Sequence, residues 1–335
     1  MGDDILSDMG LELDSSSENI TRLQLQVEDS LLARDQDSSD AEEDDVDGPR
    51  RRKRSRPQPS HQTRWLTLSH DAETPLSLVG RQLWRGSLLL ADYVIARRRE
   101  LVGLNVLELG CGVGLLGVVL GLALGPSGAA VITDRDEDVL CLARRNLAVN
   151  AHLEPLPLTS DHVSPTAVDG SARAWAAVSV RALDWAHDWA ADAPHATDMP
   201  WDVVLVADCV YDEGLTDLLF ANLRAILVAN QRRRGAGASD ARAGTVGCGG
   251  AVAWLSLEKR YNFELATLSV QAHGYRRFLA HIGRGPLDHL DAPDGKLDVR
   301  LVGRLLDVDF PRCFEYRRVP QLELWEISLA PPRAD

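Results

Sequence analysis

The stretch that decides the fold is Asn105–Gly117, which reads NVLELGCGVGLLG. Its first five residues form a short apolar run typical of a buried strand, and glycines then occupy every second position from Gly110 to Gly114. The almost wholly apolar run Leu115–Leu124 follows. This order predicts a buried strand, a tight turn and a buried helix. Glycines at such a turn permit positive φ and close approach of a ligand, and the start of the helix favours an anionic group.

Two classes of cofactor bind at a turn of this kind. Dinucleotide-binding enzymes carry G-x-G-x-x-G, with the pyrophosphate at the start of the helix. Here the spacing is Gly110-x-Gly112-x-Gly114, and Glu108 precedes it at the end of the strand. That form is typical of proteins that bind S-adenosylmethionine, so a dehydrogenase is the least favoured interpretation. A turn with only a structural role is the alternative.

Strand-like and helix-like segments alternate along the rest of the chain. We expect strands near residues 105–110, 129–134, 179–185, 202–210 and 250–258, helices near 80–96, 113–124, 136–150, 213–230 and 262–280, and closing strands at Lys296–Gly303 and Gln321–Ser328. This alternation predicts an α/β fold with a parallel sheet and helices on both faces. Ligands bind such sheets outside the carboxyl ends of the strands. Two stretches without periodicity, Glu154–Trp175 and Arg232–Gly249, are expected to be surface loops.

The excess negative charge is confined to the N-terminal segment. Residues 1–48 hold 16 Asp and Glu against Arg22 and Arg34, a net charge of −14, which equals that of the whole chain. Residues 1–60 have few large apolar side chains outside Leu23–Val27, so we expect a disordered acidic tail. The neutral remainder does not indicate nucleic-acid binding. No apolar run is long enough to span a bilayer, and the five scattered cysteines predict reduced thiols inside a cell and no metal site.

A basic cluster follows the acidic segment. Arg50–Arg56 places six cations in seven positions, bounded by Pro49 and Pro57. We interpret it as a nuclear import signal, because it lies in a segment that an import receptor can reach. The alternative is a solvated charge run that offsets the acidic block before it.

Two predicted strands end in residues that suit the nucleoside part of a cofactor. Asp134 ends the second strand, where a carboxylate can accept hydrogen bonds from both ribose hydroxyls. Its alternative role is to cap the next helix, for which Asp136 is the better candidate. Asp184 and Trp185 end the third strand and can hold an adenine through an acceptor for its amine and a flat apolar contact. The alternative for Trp185 is core packing.

The run Trp201–Asp212 (WDVVLVADCVYD) changes abruptly from buried aliphatic residues to Ala207, Asp208 and Tyr211. Small Ala207 leaves room for a cofactor, and Asp208 and Tyr211 are placed where a methyl acceptor would enter. Enzymes that methylate adenine or glutamine amides carry Asn/Asp-Pro-Pro-Tyr/Phe at this place. The absence of both prolines argues against those substrates. Core packing is the alternative role for Tyr211.

Taken in order, these blocks resemble the seven-β-strand protein-lysine methyltransferases. The matching blocks are Trp84–Gly86, Glu108–Gly114, Thr133–Asp134, Leu183–Trp185, Ala207–Tyr211, Ser256–Phe263 and Gln321–Trp325. The resemblance covers residues 73–330. It implies a Rossmann-like class I methyltransferase domain with a seven-stranded, mostly parallel sheet, and it offers no counterpart for the two loops.

The resemblance also implies roles for individual residues. Asp208 and Tyr211 correspond to the family's acidic–aromatic motif beside the acceptor nitrogen. Cys111 stands where relatives often carry Ala, which keeps the turn small. The family needs no metal, is nuclear or cytosolic, and methylates lysine side chains of non-histone proteins. The residues that would bind S-adenosylmethionine are Trp84, Glu108, Gly110, Cys111, Gly112, Asp134, Asp184, Trp185 and Ala207.

We therefore expect methylation of a protein lysine by in-line attack of a neutral amine on the sulfonium methyl group. Asp208 would orient the incoming ammonium, and Tyr211 would shape the acceptor channel. Two alternatives stay open from the residues alone. One is a non-catalytic scaffold with this fold, and the other is a methyltransferase that acts on a small amine or a nucleic acid.

Overall fold

The computed structural model describes residues 12–13, 20–28, 61–71, 76–156, 175–186, 200–235, 250–264, 269–284 and 300–330. In chain order the strands are β1 (Glu12–Leu13), β2 (Ile20–Glu28), β3 (His61–Ser69), β4 (Asn105–Leu109), β5 (Ala129–Asp134), β6 (Ala177–Ala182), β7 (Val203–Ala207), β8 (Val252–Glu258), β9 (Asn262–Glu264), β10 (Ser269–Gln271), β11 (Leu301–Leu306) and β12 (Leu322–Leu329). The helices are a 3-10 helix at Leu76–Arg81, then α1 (Arg85–Ala96), α2 (Arg98–Leu101), α3 (Leu115–Ala123), α4 (Glu137–Asn150), α5 (Glu213–Gly235) and α6 (His273–His281).

Seven strands form the central sheet, in the order β11-β12-β8-β7-β4-β5-β6. The strands from β4 to β8 are parallel to one another, and β12 pairs antiparallel with both β8 and β11. This arrangement confirms the predicted class I architecture with its mostly parallel sheet. The chain runs from β4 to β5 and β6 on one side and then crosses to β7 on the other. The reversal in strand order between β4 and β7 is where doubly wound sheets bind ligands.

Helices cover both faces because successive side chains of the central strands point to opposite sides of the sheet. On one face, Val106 and Val203 pack with the apolar sides of α1, α3 and α4. On the other face, Leu107 and Val204 pack with α5 and α6. Strand β7 is buried along its length until Ala207, so its polar continuation emerges at the carboxyl edge of the sheet.

A second sheet, of strands β1, β2 and β3, joins the same core. Strand β2 pairs antiparallel with β1 and β3, and its side chains Leu23, Leu25 and Val27 are buried with those of α1 and α3. The expectation of disorder over residues 1–60 therefore does not hold for Ile20–Glu28. Leucine and valine alternate with polar residues there, which gives a strand one apolar face to bury. The rest of 1–60, apart from residues 12–13, lies outside the described residues.

Two asparagines of α4 take the place of a strand partner along the edge of β3. Asn146 accepts a hydrogen bond from the Ser69 N–H at 2.8 Å and donates one to the Ser69 carbonyl at 2.9 Å. Asn150 makes the same pair with Thr67, at 2.9 and 2.7 Å. Both side chains lie on one face of the helix because they are four residues apart. They satisfy backbone groups that burial would otherwise leave without partners.

Several element predictions are wrong in their limits. Strand β6 is Ala177–Ala182 and not 179–185, and α5 continues to Gly235 through residues expected to form a loop from Arg232. The helix expected over residues 262–280 begins only at His273, and Asn262–Glu264 pairs antiparallel with Ser269–Gln271. Both short strands alternate polar, apolar and polar residues, a period of two that competes with the helical period. The first closing strand is Leu301–Leu306, shifted from the predicted Lys296–Gly303.

Several expectations concern residues outside the described ranges. These are the import signal at Arg50–Arg56, residues 157–174 and 236–249 of the two predicted loops, and residues 296–299. Among the helices that the structure does describe, none combines the length and apolar character needed to cross a bilayer.

Candidate active site

One cavity opens at the carboxyl ends of β4, β5 and β7. All of the residues selected from the sequence line it. They are Trp84, Glu108, Gly110, Cys111, Gly112, Asp134, Asp184, Trp185, Ala207, Asp208 and Tyr211. The structure therefore brings together side chains from five separate parts of the chain, which the parallel sheet aligns at one edge.

The glycine turn forms one wall of the cavity. Gly110, Gly112 and Gly114 have φ values of +77°, +50° and +81°, in the left-handed region that glycine tolerates best. A Cβ atom at Gly110 would lie 2.6 Å from the Sγ atom of Cys209, so a side chain there has no room. Gly114 is the N-cap of α3, and the free N–H groups at the start of that helix lie next to the turn.

Asp134 joins the end of β5 to the glycine turn. Its Oδ2 atom accepts a hydrogen bond from the Gly112 N–H at 3.1 Å, and Oδ1 accepts one from the Arg135 N–H at 2.8 Å. Burial raises the pKa of this carboxyl, and the backbone N–H donors oppose that shift. Asp136 caps α4, as predicted, by accepting from the N–H groups of Asp138 and Val139. Asp136 therefore caps the helix and Asp134 bonds to the glycine turn, while both line the cavity.

Glu108 carries an unpaired carboxyl atom in the cavity wall. Its side chain is 2% exposed, and Oε2 has no hydrogen-bond partner among the residues that the structure describes. Burial, with Asp134 nearby as a second acidic group, raises its pKa well above the ordinary value. A buried oxygen without a donor is costly unless a ligand supplies one. Glu108 is therefore suited to meet a cationic donor inside the cavity.

Trp185 and Ala207 border the glycine turn from two sides. The indole of Trp185 lies beside Gly110, 3.5 Å from where a Cβ atom of that glycine would be. Ala207 ends β7 and leaves the carboxyl edge uncrowded. Asp184 accepts a hydrogen bond from the Ala186 N–H at 2.9 Å, which orders the turn after β6. The flat indole and the carboxylate are placed together, as expected for an adenine site.

Trp84 is the N-cap residue of α1 and lines the cavity. Its Nε1–H donates to the Val79 carbonyl at 2.9 Å. The guanidinium of Arg260 lies over the indole ring, 4.4 Å from its centroid, in a cation–π contact. Contacts with the 3-10 helix and with the segment after β8 therefore fix the orientation of the Trp84 indole.

Asp208 lines the cavity, but its carboxylate is engaged by the backbone. Oδ2 accepts from the Gly86 N–H at 2.6 Å and Oδ1 accepts from the Glu258 N–H at 2.8 Å. Arg260 lies 3.7 Å from Oδ1. The prediction that Asp208 orients an acceptor ammonium stays a prediction, and the structure adds these three partners to it.

Tyr211 is half-buried beside the cavity, and the backbone at Tyr211 packs against Gly274 of α6. Burial raises the pKa of its phenol to about 12, so the hydroxyl keeps its proton at neutral pH. A phenol in this state can donate a hydrogen bond and offer an aromatic face. It does not act as a base at neutral pH.

Sequence reasoning missed the apolar floor of the cavity. Val139, Leu116, Leu215 and Leu218 line it from three helices. They belong to the ordinary apolar patterns of their helices, so no local signal separates them from the core. Gly80 was also missed: a Cβ atom at Gly112 would come within 3.1 Å of its carbonyl oxygen, which packs the 3-10 helix against the turn.

The residues of the cavity fit a cofactor that combines a cation, a carboxylate and a nucleoside. The unpaired Glu108 oxygen suits the cationic part, the start of α3 suits a carboxylate, and Asp134 suits ribose hydroxyls. S-adenosylmethionine has these parts. Within the described ranges, no group of His, Cys, Asp and Glu is arranged to hold a metal ion.

Comparison with known proteins gives related sequences over most of the chain. Methyltransferase-like protein 22 of Mus musculus is 34% identical over 279 residues, covering 79% of this chain and 60% of the mouse protein. The Homo sapiens protein of the same name is 32% identical, covering 79% and 58%. The chain thus spans about three fifths of the length of these relatives. The electron transfer flavoprotein beta subunit lysine methyltransferase of Danio rerio is 27% identical over 136 residues, covering 40% of this chain and 39% of the fish protein.

A family profile described as lysine methyltransferase matches residues 62–234, which is slightly more than half of the chain. This range contains the 3-10 helix, the glycine turn and strands β4 to β7, and so every predicted site residue. A methyltransferase family of this kind implies S-adenosylmethionine as the methyl donor. The resemblance drawn from the sequence blocks is confirmed: the chain belongs to the lysine methyltransferase family.

Proposed function

We propose that this protein is an S-adenosylmethionine-dependent methyltransferase that acts on a lysine side chain of a protein substrate. The observation that carries the proposal is the meeting of the glycine turn, Glu108 and Asp134 at one cavity in a chain of the lysine methyltransferase family. The chain spans only about three fifths of the mouse and human relatives named above, so the activity is proposed from the residues of this chain's own cavity.

The cavity walls suggest how the cofactor is held. Gly110 and Gly112 would lie against its methionine part, and Glu108 would meet its ammonium group. Asp134 would accept hydrogen bonds from the ribose hydroxyls. The remaining residues proposed to contact it are Cys111, Asp184, Trp185, Ala207 and Trp84. When bound, S-adenosylmethionine supplies an electrophilic methyl group on a sulfonium.

The protein must present the lysine as a neutral amine. A free lysine has a pKa near 10.4, so deprotonation at pH 7 costs about 4.6 kcal/mol. Desolvation beside Tyr211 and the apolar floor of the cavity lowers that cost, because burial disfavours the ammonium form. Since Tyr211 keeps its proton, we assign it to shaping the acceptor channel. Most of the acceleration would come from positioning.

We further propose that the protein acts in the nucleus and, from the family resemblance, that its substrate is not a histone. The support is Arg50–Arg56, whose density of cations suits an import receptor. Replacement of these six cations with glutamine should move a fluorescent fusion of the full chain from the nucleus to the cytoplasm. A fusion that stays nuclear would contradict the proposal on localisation without touching the proposal on activity.

The first test is calorimetric titration of the full chain with S-adenosylmethionine, followed by labelling of a cell extract with a radioactive methyl donor. We expect micromolar binding and label in methyl-lysine after acid hydrolysis. Label in another amino acid, in nucleic acid or in small amines would overturn the substrate class. Failure of well-folded protein to bind the cofactor would overturn the enzyme and favour a scaffold.

A further inference from the structure

The N-terminus of α1 is joined to the ends of β7 and β8 by a closed ring of hydrogen bonds. The Gly86 N–H donates to Oδ2 of Asp208 at 2.6 Å, and the Asp208 N–H donates to the Ser256 carbonyl at 2.9 Å. The Ser256 hydroxyl completes the ring by donating to the Gly86 carbonyl at 2.7 Å. We call these three residues the Gly86 ring. The backbone N–H and the backbone carbonyl of Gly86 are thereby both bonded to residues at the ends of these strands.

The packing around the ring leaves no space for a side chain at Gly86. A Cβ atom at Gly86 would lie 2.5 Å from the Asp208 Oδ2 atom, so the helix backbone rests directly on the carboxylate. Asp208 has φ +56°, a left-handed conformation that Asp adopts more readily than most residues. In this conformation the side chain of Asp208 reaches the start of α1 and accepts from the Gly86 N–H.

The residues on either side of Gly86 dock on the same strand end. Arg85 pairs with Glu258 at 3.2 Å, and the indole of Trp84 lies under the guanidinium of Arg260. The Glu258 N–H donates to the second Asp208 oxygen at 2.8 Å. Every residue from 84 to 86 thus has a partner among Asp208 and residues 256–260. The contacts of Arg85 and Gly86 therefore hold the helix start that carries Trp84, and Arg260 contacts its indole directly.

We propose that Asp208 and Ser256 are positioning residues that hold Trp84 against the cofactor cavity through the Gly86 ring. The inference rests on the proposed function, because the cavity is taken as the site of S-adenosylmethionine. It differs from an acceptor-orienting role for Asp208 in one measurable respect. An Asp208 that acts only on the acceptor amine can be replaced without loss of cofactor affinity, whereas one that holds the cavity wall cannot.

A substitution at Ser256 tests the positioning role without changing any group that could contact the acceptor amine. Its side chain is fully buried, and it is absent from the cavity lining of the described residues, so it contacts neither cofactor nor acceptor there. Its hydroxyl donates to the Gly86 carbonyl, which is the contact that the proposal concerns. Ser256→Ala removes that bond with the loss of a single oxygen, and Asp208→Asn removes one charge-assisted acceptor at constant shape.

Asn230 offers a matched control. Its Oδ1 atom accepts from the Trp201 N–H at 2.9 Å, and the residue is buried at the amino end of β7, opposite the cavity. Asn230→Ala therefore also deletes a buried bond between a side chain and the backbone. It should lower stability to urea while leaving the cofactor site intact.

The experiment measures cofactor affinity by calorimetry and backbone amide exchange at residues 84–90 in the full-length wild type and the three variants. We expect Ser256→Ala and Asp208→Asn to weaken S-adenosylmethionine binding about tenfold and to speed exchange at the start of α1, because each leaves a buried group without its partner. Asn230→Ala should change neither quantity.

Wild-type affinity in Ser256→Ala, or unchanged exchange in both ring variants, would overturn the inference. An equal loss of cofactor affinity in Asn230→Ala would also overturn the inference, because the effect of the ring variants would then be a consequence of lower overall stability. If the wild type itself fails to bind, the proposed function fails. The exchange data alone then decide whether the ring anchors α1.

Discussion

Asp134 and Gly112, 22 residues apart in the chain, are joined by a hydrogen bond of 3.1 Å from the Gly112 N–H to the Asp134 Oδ2 atom. The bond connects the end of β5 to the turn after β4, so two neighbouring parallel strands deliver one rigid edge of the cavity. The carboxylate that we assign to the ribose also holds the backbone that we assign to the methionine part. The two halves of the cofactor site are therefore built as one unit.

Replacement of Asp134 with alanine should weaken S-adenosylmethionine binding by about 10- to 100-fold, since it removes a charged acceptor worth roughly 1.5–3 kcal/mol. The measurement is calorimetric titration. Asp202→Ala is the matched control, because Asp202 accepts from the Asn105 N–H at 2.8 Å at the amino edge of the same sheet. Equal affinities in wild type and Asp134→Ala would remove the ribose role.

The pH dependence of cofactor affinity should depend on Glu108. Its raised pKa means that the free protein holds the neutral acid to a higher pH than usual. A cationic ligand favours the carboxylate, so binding should release a proton, and affinity should rise with pH up to the pKa of the free protein. Titration in two buffers with different ionisation enthalpies measures the release. Glu108→Gln should bind more weakly and release fewer protons.

Glu108 should also make the stability of the protein without cofactor depend on pH. Because the folded-state pKa of Glu108 is raised, its contribution to stability is fully present below the unfolded pKa and is lost as pH rises through the folded pKa. Glu108→Gln mimics the neutral acid at every pH. Urea unfolding without cofactor should therefore show a stability advantage for the variant that grows as pH rises. A constant difference across pH would exclude the buried-acid interpretation.

Gly110→Ala should destabilise the protein through two separate effects. The φ of +77° costs a side chain about 1–2 kcal/mol, and the new methyl group would lie 2.6 Å from the Cys209 Sγ atom. The double variant Gly110→Ala/Cys209→Ala should recover only the stability that is lost through the contact with Cys209. Gly283→Ala is the control for backbone strain alone, because its φ is +71° and nothing lies within 4 Å of its Cβ position. Equal losses of unfolding free energy in Gly110→Ala and Gly283→Ala, measured by urea unfolding, would exclude a contribution from the contact with Cys209.

Arg318→Ala should cost about 3 kcal/mol of unfolding free energy, because it leaves a buried carboxylate without its cation. Asp92 is fully buried, and its Oδ2 atom accepts from Arg318 at 2.8 Å and from the Tyr316 hydroxyl at 2.8 Å. The control is Arg304→Ala, which breaks the exposed pair with Glu326 and should cost at most about 1 kcal/mol. Similar losses in both variants would contradict the difference in burial.

The Arg318 variant should also respond to pH in a defined direction. Burial raises the pKa of Asp92 to about 6 with Arg318 in place, and loss of the cation raises it further. For a raised carboxyl pKa, stability is gained as pH falls towards the unfolded value. The deficit of Arg318→Ala relative to wild type should therefore shrink between pH 7 and pH 5. A deficit that grows over this range would exclude Asp92 as the cause.

Much of the site was predictable because its signals are local in the chain. The glycine spacing from Gly110 to Gly114 needs no tertiary information, since positive φ is a property of the turn itself. Asp134 ends one buried strand and Asp208 directly follows another, and parallel strands place their carboxyl ends at one edge. Family resemblance then supplied roles that the residue pattern alone left open.

The errors occurred where local and long-range signals competed. Ile20–Glu28 lies in a segment whose charge predicts disorder, yet its alternating leucines find a partner in β3, more than thirty residues away. Asn262–Glu264 is too short for its period of two to be recognised beside the helical pattern that follows. In both cases the pairing partner, and not the segment itself, selects the strand.

The sequence by itself determined the class of fold, the glycine turn and the predicted residues of the cavity, because each depends on periodicity or on residues close together in the chain. It did not reveal the apolar floor of the cavity. Only the tertiary structure decided which hydrogen bonds the side chains of those predicted residues form. Gly86 and Asp208 are 122 residues apart, and no pattern in either segment specifies their hydrogen bond. It exists because the start of α1 packs on the ends of β7 and β8, where a buried backbone N–H requires an acceptor.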